Sequence, residues 1–248
     1  MKHITIVAGA RPNFIKISPI INEIKNSCKI GNNLNFNLVH TGQHYDSNMS
    51  GSFFNQLGIP QPKINLSVGS GSQAEQTAKI MIGFEKFLIN NPTEMVLVVG
   101  DVTSTMACSI TARKLNIKVA HVEAGIRSGD WSMPEEINRV VTDSISNYFF
   151  TTSKLAGNNL KSSGINEKNI FFVGNTMIDT LLNNISNFIK PSIWSEKKLE
   201  KDKFIIITLH RPGNVDQANN IKRVIDEILE NSKDFPIVFP VHPRTAKI

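Results

Sequence analysis

Residues 95–123 read MVLVVGDVTSTMACSITARKLNIKVAHVE. An apolar run, 95–99, stops at Gly100 and Asp101; residues 104–115 follow with helical periodicity, and a second apolar run, 119–122, stops at Glu123. Runs this short, without polar alternation, are the pattern of strands buried on both faces, and a helix between two of them makes the strands parallel. The unit sets the fold class as α/β, a parallel sheet with helices on both faces.

The pattern repeats outward in both directions. Apolar runs at 4–8, 36–40, 148–151 and 170–173 are further expected strands, and 12–25, 48–57, 73–89, 134–146 and 153–162 are expected helices. Pro12 and Pro134 suit first-turn positions, where the missing N–H costs nothing. Past a lysine- and glutamate-rich stretch at 196–203 a second alternation begins, with an expected strand at 204–209, helix at 216–231 and strand at 237–241. Pro191, Ser192 and the charged run break the apolar pattern, so the expected division is a first domain at 1–187, a linker at 188–203 and the start of a second domain at 204–248. Two strands and one helix cannot cover both faces of a sheet, and the second domain is expected to be truncated.

Composition excludes several classes of function. The net charge is +6 and the pI about 9.3, but the basic residues are scattered, so no nucleic-acid partner is expected. Cys28 and Cys108 lie far apart without CxxC or Cys/His spacing, which points to neither a disulfide framework nor a zinc site. No apolar run approaches a membrane span, and the start of the chain runs straight into a strand pattern; the expectation is a soluble cytoplasmic protein. Neither a Walker A loop nor GxGxxG occurs, which argues against ATP hydrolysis and dinucleotide redox chemistry.

In open parallel sheets ligands bind beyond the carboxyl ends of the strands. The first strand runs into Gly9, Ala10, Arg11 and Lys16, a turn into a helix that offers backbone N–H groups and positive charge to an anion. Arg11 suits either a helix-start salt bridge or an oxyanion grip, and its place at a strand end favours the grip; Lys16, one turn later, divides more evenly between structural and substrate roles. The second strand ends in His40, Gln43 and His44, a polar cluster fit for ligand contact. Asp101 either caps the next helix or faces the ligand. Glu123 stands at another strand end and Glu135 at a helix start, and carboxylates crowded beside Arg11 would shift apart in pKa, giving one acid and one base. His210, at a strand end of the second unit, is placed to complete such a site.

Six segments in order, GARPNFIK (9–16), HTGQHYD (40–46), GDVTST (100–105), HVEAGIRSGD (121–130), MPEEINR (133–139) and HPRT (242–245), resemble the non-hydrolysing UDP-N-acetylglucosamine 2-epimerases. The resemblance implies two Rossmann-like domains of the GT-B type, a homodimer, and interconversion of UDP-GlcNAc and UDP-ManNAc for bacterial surface polysaccharides. It places catalytic roles on Asp101, Glu123, Glu135 and His210. Substrate contacts fall on Arg11, Lys16, His242 and Arg244, and Gln43 and His44 fall in a region that binds a second UDP-GlcNAc as activator. The implied route eliminates UDP to 2-acetamidoglucal and adds it back, with no cofactor and no metal. Family members continue past HPRT with segments that hold uridine and diphosphate. The alternatives are a UDP-2,3-diacetamido-2,3-dideoxy-glucuronate 2-epimerase and an inactive truncated member; the GDVTST segment disfavours a hydrolysing enzyme.

Overall fold

The computed structural model describes residues 2–42, 51–209, 218–232, 235–241 and 245–247. They form two compact units, Met1–Ser186 and Asn187–Ile248.

The first unit carries seven strands: β1 (Lys2–Ala8), β2 (Leu34–His40), β3 (Ile64–Asn65), β4 (Met95–Val99), β5 (Lys118–Val122), β6 (Tyr148–Thr151) and β7 (Ile170–Phe172). Every pairing is parallel, in the order β3-β2-β1-β4-β5-β6-β7. The helices between them are α1 (Arg11–Lys29), α2 (Gly51–Gln56), α3 (Gln73–Asn90), α4 (Thr103–Lys114), α5 (Pro134–Ile145) and α6 (Lys154–Ser162), with α7 (Thr176–Asn184) after β7. The expected parallel sheet with helices on both faces is therefore present. β3 and α7 were not expected from the sequence, and residues 48–50 of the expected helix at 48–57 lie outside the described residues.

Strand alternation divides the core. Leu97 and Val99 of β4, with Ile6 and Ala8 of β1, pack on Phe14, Ile17 and Ile21 of α1. Val96 and Val98, with Val7, pack on Ile80 and Phe84 of α3 and on Ala107, Cys108 and Ala112 of α4. Phe14 and Phe84 are fully buried, each contributing about 2–3 kcal/mol of transfer free energy. Small residues along α4 let it lie close to the sheet and to α3 and α5.

This order fixes where a ligand can bind. The chain winds from β1 toward β2 and β3, then crosses to β4 and winds the other way, so the switch point lies between β1 and β4. There the loops leaving adjacent strand ends diverge and open a crevice. The turns 9–10 and 100–102 emerge at that place.

The second unit contains α8 (Ser192–Glu196), β8 (Ile205–Ile206), α9 (Ala218–Asn231) and β9 (Ile237–Val238), with β8 and β9 paired in parallel. Its strands are shorter than the runs at 204–209 and 237–241 suggest. Trp194 packs edge-on to Phe204 at 5.2 Å, and the Thr245 hydroxyl donates to the Leu209 carbonyl at 2.7 Å. No described helix is long and apolar enough to cross a membrane.

Candidate functional site

The β1–α1 turn closes on its own helix. Asn13 Oδ1 accepts from the N–H groups of Gly9 and Ala10, each at 3.0 Å, and Asn13 Nδ2 donates to the Val99 carbonyl at 3.4 Å. This corrects the expectation that the turn offers its N–H groups to an anion: two of them are taken up by Asn13, which ties the end of β1 to the end of β4. The positive charge is left. Arg11 is exposed, its guanidinium 5.0 Å above the Phe53 ring, with no carboxylate partner among the described residues.

Lys16, one turn further along α1, forms a nearly buried ion pair with Glu123, the two side chains being 15% and 10% exposed. Glu123 leaves β5 with φ +68°, a left-handed conformation that a non-glycine residue adopts only where its surroundings hold it. Gly100 sits beside the pair with φ +69°, a conformation that favours glycine, and a Cβ there would press on the pair, lying 3.3 Å from both Glu123 Oε2 and Lys16 Nζ.

Asp101 does not cap α4. Val102 is the cap residue of α4 and makes no side-chain cap bond, while Asp101 Oδ2 accepts two bonds from Arg139, from Nε at 3.0 Å and Nη2 at 2.6 Å. Its other carboxylate oxygen has no partner among the described residues, and the side chain is 30% exposed. Asn138 Nδ2 donates to the Asp101 carbonyl at 2.8 Å, so α5 grips this turn twice.

The inward face of α5 is polar: Glu136, Asn138, Thr142 and Asp143 are buried on it. Glu136 Oε2 accepts from the Ser128 N–H at 2.9 Å, the Ser128 hydroxyl at 2.9 Å and Arg139 Nη1 at 2.8 Å, and Oε1 accepts from the Gly129 N–H at 3.1 Å. Burial alone would push its carboxyl up, but these bonds outweigh it and hold the pKa down at about 2. Asp143 reaches the other end of the same loop, accepting from the Gly125 N–H at 3.1 Å and pairing with Arg127 Nη1 at 2.6 Å. Glu135, the neighbour of Glu136 in the first turn of α5, is half-buried, and its side chain makes no hydrogen bond or ion pair among the described residues.

The structure thus brings Lys16 and Glu123 into contact and sets Asp101 on the turn beside them, with Glu135 one helical turn before the residues that hold Asp101. It does not crowd bare carboxylates, as the sequence suggested: Glu123 has Lys16, and Asp101 has Arg139. Of the two histidines expected at a ligand, His40 is a buried structural residue. Its Nδ1 lies 3.0 Å from the Ala8 carbonyl, its ring packs on Phe14, and burial lowers its pKa. Gln43, His44, His210, His242 and Arg244 lie outside the described residues.

Asn13, His121, Glu136 and Arg139 stand inside the six ordered segments but carry no site role in the sequence reading, and Asp143 stands outside them. The signal was present: Glu136, Arg139 and Asp143 recur at helical spacing, so three charged side chains share one face of α5.

Fold and site together define a doubly wound α/β protein with paired acidic and basic side chains at its switch point. The family model for UDP-N-acetylglucosamine 2-epimerase matches residues 26–248. The chain is 46% identical to a "UDP-N-acetylglucosamine 2-epimerase homolog" of Methanococcus maripaludis, over 100% of this chain and 67% of the relative. It is 38% identical to a UDP-2,3-diacetamido-2,3-dideoxy-D-glucuronate 2-epimerase of Pseudomonas aeruginosa, over 100% of this chain and 68% of the relative. The crystal structure of Methanocaldococcus jannaschii UDP-GlcNAc 2-epimerase, in complex with UDP-GlcNAc and UDP, superposes with a TM-score of 0.85 at 43% identity, covering 99% of this chain and 67% of that one. The chain belongs to the UDP-N-acetylglucosamine 2-epimerase family, as its six ordered segments suggested, and spans about two thirds of the length of these relatives.

Proposed function

We propose that this chain carries acid–base machinery that epimerises UDP-N-acetylglucosamine at sugar C2 without net hydrolysis. The carrying observation is the pair of strand-end carboxylates, Asp101 and Glu123, each fixed by its own cation at the switch point. The C2 proton of the sugar is weakly acidic, and direct removal would leave an unstabilised carbanion. Elimination avoids this: a base takes the C2 proton, the C–H electron pair forms the C1–C2 double bond, and the C1–O bond breaks with its electrons passing to UDP. Re-addition of UDP at C1 and of a proton to the opposite face of C2 gives UDP-ManNAc.

Asp101 and Glu135 are assigned to proton transfer. One oxygen of Asp101 is held by Arg139, leaving the other to face a substrate, and Glu135 is unengaged among the described residues. Glu123 supports one of them, and its Lys16 partner is the cation for which a substrate diphosphate competes. Arg11 is a second diphosphate contact. By resemblance to the family, His210 completes the catalytic set, His242 and Arg244 bind substrate, and Gln43 and His44 serve a second UDP-GlcNAc. The same resemblance supports a first domain at 1–187 and a second from 204, a homodimer, a cytoplasmic location and supply of a surface polysaccharide. The Pseudomonas aeruginosa relative supports a second reading, with UDP-2,3-diacetamido-2,3-dideoxy-glucuronate as substrate.

Turnover of each UDP-sugar in heavy water tests both readings. The expected result is deuterium at C2 of UDP-ManNAc, with Asp101→Asn and Glu135→Gln each lowering the rate by about 100- to 10,000-fold while the fold persists. Epimerised product without solvent label would refute the exchanging carboxylates.

A further inference from the structure

Behind the two strand-end carboxylates lies a buried pair that this chemistry does not use. His121 is fully buried in β5, two residues before Glu123, on the face where apolar residues such as Val119 pack against α3 and α4. A polar ring in such a place needs a partner at each nitrogen, and it has both. Nε2 lies 2.8 Å from the Gly100 carbonyl, which only accepts, so this nitrogen carries a hydrogen and donates. Nδ1 lies 2.7 Å from Asp143 Oδ1. The other Asp143 oxygen takes the Gly125 N–H and Arg127. Burial pushes the Asp143 carboxyl up, but His121 and Arg127 outweigh that effect and lower its pKa overall.

These bonds end on particular peptides. The Gly100 carbonyl belongs to the peptide whose N–H is that of Asp101, and Gly125 lies two residues past Glu123 in a turn that starts from a left-handed Glu123. Each turn is thus anchored to the same buried pair, which is itself fixed to α5 through Asp143. We infer that His121 and Asp143 are positioning residues that set the placement of Asp101 relative to Glu123, His121 acting through the Gly100 carbonyl and Asp143 through the Gly125 N–H. The inference rests on the reading that these carboxylates work on the sugar, and its test separates the two.

Two amides split the imidazole's roles: Asn places its side-chain nitrogen near the Nδ1 position and Gln near the Nε2 position. His121→Asn therefore keeps the bond to Asp143 and releases the Gly100 carbonyl, whereas His121→Gln does the reverse. In 15N–1H spectra, the Asp101 amide is expected to shift in His121→Asn and stay near wild type in His121→Gln, while Asp143→Asn shifts the Gly125 amide. In kinetics with UDP-GlcNAc, His121→Asn and Asp143→Asn should lower kcat about tenfold or more with KM changed less than about twofold, and His121→Gln should restore kcat to within about threefold of wild type. If His121→Asn does not fold, the contrast between His121→Gln and Asp143→Asn carries the same decision. Equal losses in all three variants with unmoved Asp101 and Gly125 amides would overturn the inference, leaving the pair a stability element. If wild type does not epimerise UDP-GlcNAc, the catalytic reading fails, while the amide shifts still decide whether His121 and Asp143 set the two turns.

Discussion

Replacing Glu136 by Gln removes one buried negative charge and almost nothing else, so it measures what the loop from Ala124 to Ser132 gains from that charge. The carboxylate collects four bonds, from the Ser128 N–H, the Ser128 hydroxyl, the Gly129 N–H and Arg139. An amide cannot accept at both ends, so one N–H group of the loop would meet another donor. The fall of the carboxyl pKa from 4.5 to about 2 corresponds to about 3 kcal/mol at ~1.36 kcal/mol per unit. The loop is open to water, with Trp131 63% exposed, and solvent screening reduces the figure to about 2 kcal/mol. Because the folded pKa is depressed, this stability is complete above about pH 4.5 and is lost as pH falls through 2. Urea unfolding followed by far-UV circular dichroism should thus show the variant about 2 kcal/mol less stable than wild type at pH 7, with less than about half of that gap left at pH 3. Amide exchange at Ser128 and Gly129 should quicken in the variant at pH 7. A gap of the same size at both pH values would mean that the loss is steric, and the electrostatic account would be refuted.

Two further predictions concern the strand ends. Gly125→Ala would place a Cβ against the Ala156 carbonyl at φ +79°, and a loss of at least about 2 kcal/mol in urea unfolding is expected; a loss under about 0.5 kcal/mol would show that the turn yields freely. Lys16→Met leaves Glu123 nearly buried without its cation, with an expected cost of about 3 kcal/mol; adding Glu123→Gln should return at least about 1 kcal/mol, and strict additivity in that double-mutant cycle would exclude coupling between the pair.

The sheet was legible because its central strands are buried on both faces, so runs such as 95–99 and 119–122 stand out as unbroken apolar segments ended by Gly100 and Glu123. β3 was not, since a two-residue edge strand has no period to detect, and the sign of α7 is slight, a cap in which Asn175 accepts from the Met177 N–H. Sequence order also shows which residues follow a strand, as Asp101 and Glu123 do. It does not show which way a helix is turned. Whether Asp101 capped α4 or faced outward was decided by Arg139, 38 residues away on α5. The same rotation separates two adjacent glutamates: Glu136 is locked into the loop, and Glu135 is left without a partner among the described residues.

The polar inward face of α5 also bears on how such a protein can change by descent. Apolar core positions trade one hydrocarbon for another in small steps, since neighbours need only fill the volume. Asp101, Glu136 and Arg139 share one set of bonds, and Asp143, His121 and Arg127 share another, so a replacement in either set leaves at least one partner short of a bond. Neutral drift is therefore easier in the apolar layers of this unit than along α5, where a change in one residue favours compensating changes in its bonded partners.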